Sequence, residues 1–259
     1  MKSICRVAAA LILLALTGCA TVNNVKPDSR DPFERANRAT FRINDALDRG
    51  IAKPAAKAYH AITPHFAQTG VSNFFANLEY PTVILNDFLQ AKFRDGFSDL
   101  GRFAMNTTVG LGGLFDPASS AGLDVHDEDF GQTLGKWGVP SGPYLVLPFL
   151  GPSSVRDGIG RGADQFSDPR QYVKNTRVKW SLEALGLLDT RTQLLGADAV
   201  LARAADRYAF VRSAYLQRRE YLLNDGNVPD QSPTELEDPD PGADKPQNAT
   251  PPEGSTPPQ

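Results

Sequence analysis

The chain has very little cysteine and histidine: two and three residues in 259. Both cysteines, Cys5 and Cys19, lie near the N-terminus, so a disulfide scaffold and a CxxC metal site are excluded. The histidines are His60, His65 and His126. No HExxH zinc motif, no Gly-x-Ser-x-Gly nucleophile elbow and no GxxxxGK[ST] phosphate loop occurs. Gly158 to Ala163 fits GxGxxA, but no apolar strand precedes it, as a dinucleotide site requires. His126 lies in an acidic stretch, Asp124 to Asp129, which reads as a solvated loop. We therefore expect no catalytic residue, no metal, no cofactor and no energy-coupled step. Beyond the first nineteen residues, no apolar run approaches the roughly 20 residues that a bilayer-crossing helix needs.

The two ends are distinctive. Lys2 and Arg6 precede a ten-residue apolar run, Val7 to Leu16, of the length of a signal-peptide core. Leu16-Thr17-Gly18-Cys19 follows directly and resembles a bacterial lipobox. That resemblance implies cleavage before Cys19 and acylation of its thiol and new amino group. Ala20 follows, where an aspartate would resemble an inner-membrane retention signal, so the outer membrane is favoured. At the other end, residues 226–259 hold nine prolines and seven acids against one lysine, the composition of a disordered tail. This tail accounts for the net charge of −3; the part between is nearly neutral and gives no reason to invoke nucleic acid. The expected organisation is a signal peptide over 1–18, a lipidated tether over 19–30, one domain over 31–225 and a tail over 226–259.

Between the ends the apolar period is helical. Asp31-Pro32-Phe33-Glu34 has the form of a capping box, with Asp31 as the cap. Gly50 and Pro54 are expected to end the first helix, and Pro64 and Pro81 each to open another. Around Pro81 the segment is apolar nearly all round, which places it in protein or in lipid. Over 95–109 two faces separate. Phe97, Leu100, Ala104 and Thr108 form one; Asp95, Asp99, Arg102 and Asn106 form the other. Residues 110–160 lose the helical period to glycine and proline yet stay apolar, and allow a short strand over 144–149. Helices are expected near 155–166 and 176–188, and a last one over 198–224. The fold class is all-α with an irregular apolar insert.

Two faces need an assignment. Eight of the fourteen phenylalanines fall between Phe66 and Phe115. They form either an aromatic core or, in part, a surface against acyl chains of the leaflet to which Cys19 is tied. The Asp95/Asp99/Arg102/Asn106 stripe is most simply a solvated face; if its opposite face meets lipid, it lines a polar interior.

Ordered blocks along the chain carry a family resemblance. They are Asp31 to Arg38 with Phe41 and Asn44; Val71 to Leu78 with Pro81 and Asn86 to Gln90; and Gly101 to Phe103, Asn106 to Thr108 and Gly110 to Asp116. Phe130 to Val139 follows, continuing through Gly142 to Tyr144, Leu147-Pro148, Gly151 to Ser153 and Arg156-Asp157. Asp206 to Tyr208, Val211-Arg212, Tyr215 and Arg218-Arg219 close the set. Over about 31–224 the chain resembles the MlaA (VacJ) lipoproteins, with Arg207 where proline is usual. The resemblance implies a helical ring in the inner leaflet of the outer membrane, with an amphipathic channel that removes mislocalised phospholipid from the outer leaflet. It implies an outer-membrane porin trimer as partner and delivery to a soluble periplasmic carrier, MlaC. On that reading Arg102, Asn106 and Arg156 are candidates to face the channel; Arg102's alternative is an intrahelical pair with Asp99. Leu111, Gly112, Gly113, Leu114 and Phe115 are candidates for a lipid-facing rim. The rival functions are a structural scaffold for another outer-membrane complex and a phospholipase.

Overall fold

The computed structural model describes residues 30–227. Cys19, the signal segment, the tether before Arg30 and residues 228–259 of the tail lie outside the described residues.

The expected all-α class is what the structure has, with one short hairpin added. Helix α1 (Glu34–Leu47) passes through a π-helical turn (Asp48–Ala52) into α2 (Lys53–Ile62). Gly50 and Pro54 therefore do not end the helix. Pro54 has no N–H to give to the carbonyl four residues back. The chain adds one residue to that turn, and Lys53 N–H reaches the Asp48 carbonyl instead. Helix α3 (His65–Leu89) runs 25 residues straight through Pro81, so the expected pair of helices is a single one. Helix α4 (Phe93–Thr108) turns back along it.

Two short helices follow, α5 (Pro117–Ser120) and α6 (Phe130–Lys136). Their caps are Asp116 and Asp129, which accept from Ser119 N–H and Gln132 N–H. Strands β1 (Tyr144–Leu147) and β2 (Gly151–Ser154) form an antiparallel hairpin pairing Tyr144 with Ser154 and Leu147 with Gly151. Helix α7 (Val155–Asp164), a 3₁₀ turn (Pro169–Tyr172) and helix α8 (Thr176–Gln193) come next. The last segment is two helices, not one: α9 (Asp198–Arg203) and α10 (Arg207–Leu223). Ala204 is extended between them, and Asp206 caps the second by accepting from Ala209 N–H at 3.1 Å. Arg207 thus holds the first helical position, the slot proline favours, and keeps the helix start by pairing with Asp45 at 2.8 Å.

The outer edge of β1 is covered by side-chain amides. Asn37 donates to Tyr144 O (2.9 Å) and accepts from Val146 N–H (2.8 Å). Asn44 repeats this with Leu147 O and Phe149 N–H, both at 2.9 Å. Seven helical residues rise about 10.5 Å and three strand residues about 10 Å, so the two amides stay in register with the strand. Asp31, expected as a cap, is buried instead. It accepts from Asn37 (2.7 Å), Tyr208 and Arg212 (3.0 Å), while Glu34 pairs with Arg38.

Within Gly158-x-Gly160-x-Gly162, Gly160 has a packing role. A Cβ on Gly160 would run into the backbone of Gly131, so the pair lets α7 and α6 approach closely.

Candidate functional site

The polarity of the structure is inverted. Among the described residues, eight hydrophobic side chains are buried against seventeen polar or charged ones, the reverse of a protein built for water. Helix α4 shows the inversion residue by residue. Its apolar face looks out, with Phe97 64 % exposed and Leu100 45 %. Its polar face looks in, with Asp99 fully buried and Arg102 1 % exposed. Asp95, at the end of that stripe, is half-buried. The solvated-face reading of the stripe is therefore overturned. Helix α3 behaves alike: Asn77, Asn86 and Asp87 are buried, while Leu85 and Leu89 are exposed.

The phenylalanines divide in the same sense. Phe75 is buried, whereas Phe66, Phe93, Phe97 and Phe115 are exposed. Phe88 stacks edge-on with Phe97 at 5.3 Å and lies 6.2 Å from Phe93, forming one aromatic surface across both helices.

Inside, Arg102 is fully engaged. Its Nε donates to the Tyr80 hydroxyl at 2.6 Å, its Nη1 to the Leu123 carbonyl, and its Nη2 to both Asp116 oxygens (3.1 and 3.0 Å) and to Ser119 Oγ (3.0 Å). One turn on, Asn106 donates to Asp116 at 3.0 Å and accepts from Ala118 N–H at 3.1 Å. Burial alone raises the Asp116 carboxyl, but the bonds from Ser119 and Asn106 and the Arg102 charge hold it below the usual range. These two residues are thus enclosed rather than open to a channel, and they clamp the start of α5. The alternative Asp99 partner is absent too, since Asp99 pairs with His126 Nδ1 at 2.8 Å. Arg156 is also enclosed. It contacts Asp157 and the Val139 carbonyl, both at 3.3 Å, and packs against Gly135.

What the clamp positions is the segment 109–115. Leu111, Gly112 and Gly113 are three successive residues with φ of +54°, +73° and +92°. Leu111 (66 % exposed), Leu114 and Phe115 point outward. Gly112 N–H and Gly113 N–H bond back to Thr107 O (2.9 Å) and Asn106 O (2.8 Å), and Asn73 on α3 donates to Leu114 O at 3.4 Å. Gly113 sits against Asn77, and a Cβ there would overlap the Asn77 side chain.

The polar interior holds one pair that the sequence reading missed. Asp87 and Asp99, both fully buried, face each other across α3 and α4. Burial and the neighbouring Asp99 push the Asp87 carboxyl up to about 8; burial raises Asp99 as well. Helical spacing places each acid on its own helix, but only the tertiary pairing brings them together. The sign of the linkage is fixed by this direction. The folded state holds a proton on Asp87 that the unfolded chain releases near pH 4, so its stabilising effect is whole in acid and is lost as pH rises toward 8. Asp87→Asn, which keeps the shape without the charge, is expected to flatten the fall in Tm between pH 5 and 8. Each ~1 kcal/mol relieved should raise Tm at pH 8 by roughly 2–4 °C, measured by thermal melts in detergent. An unchanged pH profile would rule out the raised Asp87 carboxyl.

Away from this interior, a cavity of about 290 Å³ lies between His60, His65, Ser72 and Asp189. Ser72 donates directly to Asp189 (2.7 Å), and the His60 ring contacts Gln68 (3.0 Å). Among the described residues no histidine bonds to this serine, so the three do not form a nucleophile–base relay. No cluster of three or more metal-ligating side chains occurs among them either.

Comparison with known proteins decides the lineage. The model of the MlaA lipoprotein family matches residues 29–222. The chain belongs to the MlaA lipoprotein family. The "Intermembrane phospholipid transport system lipoprotein MlaA" of Escherichia coli (strain K12) is 38 % identical over 233 residues, 87 % of this chain and 92 % of that one. The Haemophilus influenzae protein of the same name is 33 % identical over 237 residues, 88 % of this chain and 94 % of its own. A chain solved in work on the structural basis for maintenance of bacterial outer membrane lipid asymmetry superposes with a TM-score of 0.66 at 38 % identity. It covers 75 % of this chain and 99 % of the solved one, so the helical fold of this MlaA-family member is shared with an experimental structure.

Proposed function

We propose that this chain is a lipid-anchored phospholipid transporter seated in the inner leaflet of the outer membrane. The observation that carries this reading is the inverted polarity of α3 and α4. Exposed Phe93, Phe97, Leu100 and Phe115 suit hydrocarbon, and buried polar groups keep their hydrogen bonds away from it. No helix among the described residues is long and apolar enough to cross a membrane, which suits a protein held within one leaflet. The relatives' names supply the cargo.

A ring of helices in the leaflet would give a two-tailed lipid a shielded exit. Two chains of about 15 CH₂ groups would cost on the order of 24 kcal/mol to expose to water. A passive channel, polar for the headgroup and apolar for the tails, lowers that barrier without fuel. In this proposal Leu111 to Phe115 forms the lipid-facing rim, and Arg102 and Asn106 position it. The partners are an outer-membrane porin trimer and the soluble carrier MlaC, and net removal from the outer leaflet is set by what accepts the lipid downstream.

The test begins at Cys19. Cys19→Ala is expected to shift the protein from the membrane to the soluble fraction and to raise outer-leaflet phospholipid to the level of a deletion strain. Protein extracted in mild detergent is expected to retain phospholipid and to release neither lysophospholipid nor fatty acid. Retention of none would favour the scaffold reading; appearance of lysophospholipid would favour a phospholipase.

A further inference from the structure

A second cavity, of about 210 Å³, opens where α3, α8 and the 3₁₀ turn 169–172 meet. Phe75 and Glu79 of α3, Arg170 of the turn, and Glu183, Leu187 and Thr190 of α8 line it. Gly186 makes room, since a Cβ there would stand 3.0 Å from the Phe75 ring.

The charges in this cavity are held near one another without pairing. Glu79 and Glu183 make no hydrogen bond and no ion pair among the described residues. Arg170 is fixed by its Nε, which lies 2.9 Å from both Asp168 oxygens, and among the described residues its Nη groups make no hydrogen bond. Burial raises the Glu79 carboxyl even though its side chain reaches solvent, as expected in a concave, partly desolvated wall. Here the Glu79 and Glu183 carboxylates stay beyond salt-bridge distance of Arg170, which leaves a gap.

A single small group carrying both signs would fill that gap. The cavity is below the roughly 300–1,000 Å³ of sites that enclose a drug-sized ligand, so it takes a headgroup and not a whole lipid. We propose that it is a subsite for a zwitterionic phosphoethanolamine headgroup, with the ammonium between Glu79 and Glu183 and the phosphate on Arg170. The primary ammonium offers three N–H donors to the two carboxylates, and the guanidinium offers charge-assisted bonds to the phosphate. A glycerol headgroup has the phosphate but no cation, and would leave both acids unmatched. This assignment rests on the phospholipid-transport reading and adds a headgroup preference to it.

The test uses the full lipidated protein, extracted in mild detergent from membranes of known composition and then exchanged against vesicles. One set of vesicles contains phosphatidylethanolamine and the other phosphatidylglycerol. The wild type is expected to retain phosphatidylethanolamine at least threefold above its share in the membrane. Glu79→Gln with Glu183→Gln is expected to bring that share down to the membrane's own. Neither acid bonds among the described residues, so the fold should survive, and circular dichroism checks it. Arg170→Gln is expected to lower retention of both lipids. Bound lipid that mirrors the membrane in wild type and variant alike would overturn the subsite while leaving the transport reading standing. Absence of any bound phospholipid would overturn both. Binding of free O-phosphoethanolamine without any preference between vesicles would assign the cavity to a soluble ligand and overturn the lipid assignment.

Discussion

Arg102→Ala is expected to destabilise the protein by about 3 kcal/mol, the low end of the range for removing one partner of a buried ion pair, because Asp116 stays partly exposed. The deletion leaves the Tyr80 hydroxyl and the Leu123 carbonyl without their partner and takes the charge from beside Asp116, which keeps its bonds from Ser119 and Asn106. It also frees the start of α5 and, with it, the segment 109–115. Urea melts in detergent should show the loss as a lower midpoint with an unchanged slope. Arg102→Lys should recover only part of it, because one ammonium cannot reach all four partners that the planar guanidinium serves. Phospholipid should accumulate in the outer leaflet in proportion to the destabilised fraction. A variant that melts like the wild type yet accumulates lipid would show that Arg102 acts on the lipid itself and not through the rim.

Gly113→Ala should fail for a different reason. At φ +92° an L side chain is strained whatever the space, a penalty of about 1–2 kcal/mol. Its Cβ would also overlap Asn77, and forced overpacking adds typically 1–3 kcal/mol. The strain can be relieved only by moving 111–115 away from α3. The expected result is a protein that still reaches the membrane but loses transport, read as outer-leaflet phospholipid near the deletion level. Gly112→Ala tests the same loop without the clash, since nothing lies within 4 Å of a Cβ there. It should be the milder of the two. Equal effects would show that Asn77 is not the constraint.

Much of the helical order was legible in the sequence, and so was the hairpin's first strand. Periodicity locates an apolar stripe well because it depends only on spacing along one helix. It cannot say whether that stripe faces in or out. For Asp99, Arg102 and Asn106 the ordinary assumption of a watery exterior gave the solvated-face reading, and the structure reverses it. Proline signals mislead for a related reason. Pro81 costs one hydrogen bond, which a 25-residue packed helix tolerates, and the residue added near Pro54 is invisible in any local pattern. Asp31 has the form of a cap, yet Asn37, Tyr208 and Arg212 claim its carboxylate from positions up to 181 residues away. The Asp87–Asp99 pair and the Glu79–Arg170–Glu183 cavity share that origin. Their members lie on separate elements, and no spacing rule links them.

The outward apolar faces also bear on how the molecule responds to temperature. The heat-capacity increment of unfolding comes from apolar surface newly given to water, ordinarily about 12–15 cal/mol/K per residue. Phe97, Leu100 and Leu111 are already turned away from the interior, so unfolding in which lipid or detergent still covers them gives little more of them to water. While they stay covered, the free-energy curve of such a chain is expected to be broad and shallow, and its stability to vary less between cold and warm growth than that of a protein that hides its oil inside.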